Sequence, residues 1–146
     1  MMKIRSIYTY TFILAMAILS MLSCSPDDGP VEPSLQELTF ENLAGEWTLG
    51  QFSSIKLDGA DVSANYSGFA LSFEEGTYTT TNAGDLLSSS GTWEWVDTDA
   101  TQVQLDDGKL VTINSLSTSK FIFSFNYSSR PLRAGVEGNY IITVEK

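Results

Sequence analysis

Phe121-Ile122-Phe123-Ser124-Phe125-Asn126-Tyr127 sets four rings at every second position, with Ile122, Ser124 and Asn126 between them. Successive side chains of a strand point to opposite faces, so this period of two describes a strand buried on its ring-bearing side. The same alternation recurs upstream. Phe69, Leu71 and Phe73 alternate with Ala70 and Ser72, while Trp93 and Trp95 point together between Thr92, Glu94 and Val96. From Gly45 onward valine, threonine and aromatic residues dominate, as pleated surfaces favour.

Turn chemistry cuts these runs at short, even intervals: Asp58-Gly59, Glu74-Glu75-Gly76, Asn82-Ala83-Gly84-Asp85, Asp97-Thr98-Asp99 and Asp106-Asp107-Gly108. Glycine and asparagine there supply the positive φ of tight hairpins. Eight strands are predicted, over 46 to 57, 68 to 73, 77 to 81, 90 to 96, 101 to 105, 109 to 114, 120 to 127 and 139 to 145, the first either continuous or two pieces broken by a bulge. No interval is long enough for a crossover helix, so the pairing is antiparallel. A meander of this size hides its edges by closing on itself. The predicted fold is therefore all-β, a small antiparallel up-and-down eight-stranded barrel, with a β-sandwich as the second choice. Helix-start residues in Ser34-Leu35-Gln36-Glu37-Leu38 and Thr39-Phe40-Glu41-Asn42-Leu43 predict a short helix capping one end.

Ahead of the strands, Lys3 and Arg5 precede an apolar run from Ile7 to Leu22 that ends at Ser23-Cys24. A basic start, an apolar middle and a small residue before the cut compose a secretory signal peptide. The run is broken by Thr9, Thr11 and Ser20 and is shorter than the ~20 apolar residues of a membrane span. Met21-Leu22-Ser23-Cys24 resembles a bacterial lipobox, with Met21 where leucine is usual, and the resemblance implies acyl chains on Cys24. Several acyl chains anchor stably where one does not. Ser25-Pro26-Asp27-Asp28-Gly29-Pro30-Val31-Glu32-Pro33 is too polar and proline-rich to bury a core. Its acids resemble the signal that sends lipoproteins to the surface of some Gram-negative bacteria; a solvated spacer is the equal alternative. The division is a signal peptide at 1–23, a lipidated disordered tether at 24–33 and a barrel domain at 34–146, giving an outer-membrane lipoprotein of the cell envelope.

Leu43-Ala44-Gly45-Glu46-Trp47 resembles the Gly-x-Trp opening of the lipocalins, in which a short helix leads into the first strand and the tryptophan plugs the closed end. With Gly91-Thr92-Trp93-Glu94-Trp95 and Val111-Thr112-Ile113-Asn114-Ser115-Leu116, the chain from about 43 to 146 is similar to lipocalin-like lipoproteins of Gram-negative bacteria. That resemblance implies Trp47 as the barrel-closing residue, a basic side chain over it, with Arg130 and Arg133 as candidates, and a small apolar ligand.

Composition narrows the chemistry. The formal charge of -10 becomes -12 when Lys3 and Arg5 leave with the signal. Nucleic acid is excluded as a partner, since that affinity rests on cations meeting phosphates. The chain has no histidine and one cysteine. That removes histidine-based nucleophile pairs, general bases and metal sites. The remaining paired carboxylates sit in the tether or at hairpin tips, with Glu94 the one strand-centred acid, so no enzyme activity, cofactor or metal is expected. Asp97-x-Asp99 lacks the rest of a calcium loop and reads as a solvated turn.

The predicted inward set is Trp47, Leu49, Phe69, Leu71, Phe73, Tyr78, Trp93, Trp95, Val103, Leu105, Val111, Ile113, Phe121, Phe123 and Phe125. An eight-stranded interior is either filled by side chains or holds one small molecule. Trp93, Trp95, Phe121, Phe123 and Phe125 are the candidate pocket lining. Ring volume favours a core packed at the Trp47 end with at most a shallow pocket at the other mouth. The alternatives are a solid barrel acting as an envelope interaction module, through its wall or the loop from Asn126 to Glu137, and a glycan binder using Tyr66, Tyr127 and Tyr140 if they face outward.

Overall fold

The structure, a computed structural model of the chain, describes residues 32–128 and 136–146. Cys24, the signal and most of the tether, and the Arg130 and Arg133 candidates lie outside the described residues. Pro33–Lys146 form one compact unit that contains every residue of the buried core.

Helix α1 (Leu35–Leu43) opens this unit. Ser34 caps it in a reciprocal pair: the Glu37 amide donates to Ser34 Oγ at 3.2 Å, and the Ser34 amide donates to Glu37 Oε2 at 2.7 Å. Those bonds satisfy amides that the first helical turn leaves without partners. The two capping segments thus merge into one helix, and Gln36 ties it to the barrel by donating Nε2–H to the Asp97 carbonyl at 2.8 Å.

Ten strands follow: β1 (Gly45–Thr48), β2 (Ser54–Leu57), β3 (Ala60–Asp61), β4 (Ala70–Glu74), β5 (Thr77–Thr81), β6 (Ser90–Trp95), β7 (Gln102–Leu105), β8 (Leu110–Leu116), β9 (Lys120–Tyr127) and β10 (Gly138–Glu145). All pairings are antiparallel, in the order β1-β4-β5-β6-β7-β8-β9-β10-β2-β3, and a β1–β10 contact closes the ring. The closed barrel has eight staves because β1 and β2 share one position. The strand expected over 46 to 57 is in two pieces, the alternative its sequence left open, divided by residues 49–53, where the Gly50 amide donates to Ser53 Oγ at 2.9 Å and the Ser53 amide returns a bond to the Gly50 carbonyl. Below this break β1 pairs with β4 over four residues; above it β2 pairs with β10 over four. One stave therefore switches neighbours midway, and the bulge throws Phe52 outward, 71% exposed. β3 is a two-residue addition to β2 through the Asp58-Gly59 turn, both residues at positive φ, as a tight hairpin requires. A bulge between Ile113 and Ser115 shifts the β8–β9 register.

Burial follows the alternation. Along β9, Phe121, Phe123, Phe125 and Tyr127 are buried and the residues between them are not. Twelve of the fifteen residues expected inside are buried, whereas Leu49, Trp95 and Ile113 pack against the core from its margins with part of their surface in water. Leu43, Ile55, Leu86, Leu87, Tyr127, Tyr140, Ile142 and Val144 join the core beyond that set.

Candidate functional site

The two ends of the barrel are closed by different means. At one end a helix and a tryptophan make a plug. Gly45, at φ +107°, turns the chain sharply from α1 into β1, a conformation that side-chain-bearing residues seldom adopt. The turn swings Trp47 back beneath the helix, where its Nε1–H donates to the Leu43 carbonyl at 2.8 Å. The ring is fully buried and stands 5.5 Å from Phe121. Phe73 packs edge-on to both Phe121 and Trp93, and Phe40 of α1 lies 5.8 Å from Trp93. The Trp93 indole in turn donates to the Glu74 and Thr77 carbonyls. The cation over Trp47 is Lys146, its Nζ 4.4 Å from the ring centroid and donating to the Asn42 carbonyl at 2.7 Å. Burial draws this ammonium below the ordinary lysine range.

Rings then run up the interior. Phe121 stacks on Phe123 at 4.7 Å, Phe123 on Phe125 at 6.3 Å, and Phe125 on Tyr140 at 5.7 Å. The candidate lining residues thus divide: Trp93, Trp95 and Phe121 belong to the helix-capped end, Phe123 lies midway, and Phe125 sits beneath the opposite mouth.

That mouth is covered by a loop, Asn82–Ser89, which folds Ala83, Leu86 and Leu87 inward. It is held at its flank, where Thr80 donates its amide to the Ser89 carbonyl and its hydroxyl to the Ser88 carbonyl. Under it gather Tyr66, Tyr127 and Tyr140. Tyr127 and Tyr140 are 8% and 1% exposed, so they face inward and the expectation of an outward glycan platform from these rings is corrected. The reason is phase: both continue the buried face of their strands, β9 and β10. Tyr140 donates its hydroxyl to the Val136 carbonyl at 2.9 Å. Lys109, its side chain 10% exposed, reaches in from the β7–β8 hairpin and donates to the Leu86 carbonyl. It pairs with Asp107 at 3.1 Å, with Nζ 5.4 Å from the Phe125 centroid and 5.7 Å from that of Tyr127.

Burial first, and the neighbouring Tyr140 hydroxyl second, push the Tyr66 phenol up to about 12. Burial also raises Tyr78, whose hydroxyl lies 3.4 Å from Asp106 Oδ1. A phenol that holds its proton more tightly folded than unfolded gives stability that is full below about pH 10, the ordinary tyrosine value, and lost as pH rises toward 12. We expect an ultraviolet absorbance titration to show one phenol ionising near pH 12 that vanishes in Tyr66→Phe. The variant's alkaline loss of stability should be correspondingly smaller, and an unchanged titration would contradict the buried mouth.

Outside the barrel, Glu94 is exposed on β6 opposite Gln104, beside a shallow groove of about 450 Å³ shared with Thr92 and Asp106. Asp97 is engaged by its own turn: Thr101 donates both its amide and its hydroxyl to the carboxylate, which holds Asp97 below the usual range. Among the described residues no three histidine, cysteine, aspartate or glutamate side chains gather to hold a metal, and no helix is long and apolar enough to cross a membrane.

Fold and site together define a closed, ring-filled, eight-stranded antiparallel barrel with one plugged end and one lidded end, compatible with a lipocalin-like architecture. No protein-family profile matches the chain, and no curated protein matches it. The sequence signals for the mouth residues were weak. Leu86-Leu87 stood as an apolar pair inside a stretch of turn residues, and Lys109 as a single cation after an acidic turn.

Proposed function

We propose that this protein is an outer-membrane lipoprotein of the cell envelope, anchored through acyl chains on Cys24, whose barrel takes a small apolar ligand at the mouth beneath Asn82–Ser89. It works by binding and not by catalysis, without a cofactor, a metal or a nucleic-acid partner. The unequal closure of the two ends carries this reading. At the Trp47 end the plug is a helix whose Leu43 carbonyl accepts the buried Trp47 indole N–H, and displacing it would leave that donor unsatisfied. At the other end two leucines of an eight-residue loop are buried in the same core as Phe125 and Tyr140, and an apolar ligand could take their place.

The domain comprising residues 33–146 should bind a neutral solvatochromic dye such as Nile red saturably, at one site, and Leu86→Ser/Leu87→Ser should strengthen binding by vacating the mouth. Absence of saturable binding in both proteins would end the ligand reading. Labelled palmitate should enter the full chain and be lost in Cys24→Ala; incorporation that persists would remove the anchor. A second reading, a solid barrel serving as an interaction module, draws on Phe52, an exposed ring on a wall bulge. Envelope proteins captured by the wild-type chain and lost in Phe52→Ser would favour it.

A further inference from the structure

We infer that the mouth is a site for the primary ammonium head of a small apolar amine, a site the Lys109 side chain fills while the barrel is closed. This rests on the reading of the mouth as the ligand's place of entry and adds the chemistry of the ligand's head. The Lys109 ammonium already receives what such a head needs. Two ring faces, Phe125 and Tyr127, lie within 6 Å of it, and the Leu86 carbonyl and the Asp107 carboxylate accept its hydrogens. Aromatic faces attract a cation through their quadrupole, more strongly once water is excluded, and stacked acceptors favour a donor-rich ammonium. The surrounding charge has the matching sign. Asp106 and Asp107 flank the hairpin, and the negative charge of Asp85 on the covering loop is felt at the Tyr66 phenol.

Lys109 is a removable occupant. Its four-carbon stem springs from a hairpin end, so rotation about its bonds can carry the ammonium out to solvent while the backbone stays in place. An incoming amine would take over both hydrogen bonds and both ring faces, and its tail would take the volume that Leu86 and Leu87 fill. An alcohol with the same tail would forfeit the ionic contact. A carboxylate would meet the like charge of Asp107, which now accepts from the Lys109 ammonium.

Calorimetry of decylamine, decanol and decanoate on residues 33–146, at neutral pH and below micelle formation, tests this, with Nile red fluorescence run alongside. In the wild type decylamine should bind most tightly and decanoate least. In Lys109→Met, decylamine should gain about tenfold while decanol changes less than about twofold. Lys109→Gln serves the same purpose if the methionine variant does not fold, and Asp107→Asn should cut the amine's advantage without affecting the alcohol. Equal binding of the three tails, or a preference for decanoate, would overturn the ammonium site. Nile red binding with no amine preference would leave the apolar mouth standing and sink only this inference; loss of every ligand, decylamine included, would sink both.

Discussion

Trp47→Ala is expected to cost about 3–5 kcal/mol, the largest loss from any single side chain of the plug. A domain of this size holds only about 5–15 kcal/mol in all, so the variant should stand near the edge of unfolding at 25 °C. Three contributions add. Removing the ring opens a cavity beside Phe121 that cannot collapse, because Phe121 is already held by Phe73 and Phe123. The Leu43 carbonyl loses its indole donor in a fully buried setting. Lys146 loses the ring beneath its ammonium. Trp47→Phe keeps most of the apolar surface and removes the donor, so it should fall between wild type and alanine. Urea unfolding of residues 33–146 followed by circular dichroism provides the measurement. A midpoint shift in Trp47→Ala worth less than about 1 kcal/mol would mean that the helix-capped end contributes little to the barrel.

The second large effect is expected at Gly91, where local preference and tertiary packing predict opposite signs. Valine is favoured in strands over glycine by up to about 1 kcal/mol, so local preference makes Gly91→Val stabilising. In the barrel, a Cβ on Gly91 would lie 2.7 Å from Cε1 of Tyr78 and overlap the Asp106 carboxylate. Tyr78 covers Gly91 across the β5–β6 pair and is itself 1% exposed, so it has nowhere to retreat without breaking its packing with Phe73. We expect a loss of about 1–3 kcal/mol from overpacking, seen as a lower urea midpoint with an altered near-ultraviolet signal from the displaced ring. A stabilised Gly91→Val would show that Tyr78 does not sit over the glycine. Serine at the same position should lose less, through its smaller volume.

Most strands were readable before any tertiary information, and the failures have physical reasons. The β9 alternation is unbroken, and its burial pattern matches residue for residue. In β10 the adjacent isoleucines Ile141 and Ile142 blur the phase, which explains how Tyr140, Ile142 and Val144 escaped the expected core although the strand itself was found. The stretch over 46 to 57 could be read as one strand or as two pieces broken by a bulge, because both halves have strand composition. What divides it is a change of hydrogen-bonding partner, from β4 to β10, that leaves no local trace. Leu86 and Leu87 were hidden for the opposite reason: glycine, aspartate and serine around them signal a surface turn, and the apolar pair folds inward only because an open barrel end lies beneath it.

By itself the sequence determined the element types, the hairpin turns and which face of most strands is apolar, because a period of two and turn residues at positive φ are properties of neighbouring residues. The antiparallel meander follows from the short intervals between them. Tertiary structure alone decided which cation covers Trp47, a lysine 104 positions beyond the carbonyl it also binds, and that three tyrosines and Lys109 meet under one loop. Those meetings depend on the stagger at which the sheet closes on itself. Closure is set by the summed fit of the interior rings, and no local stretch of chain encodes that sum.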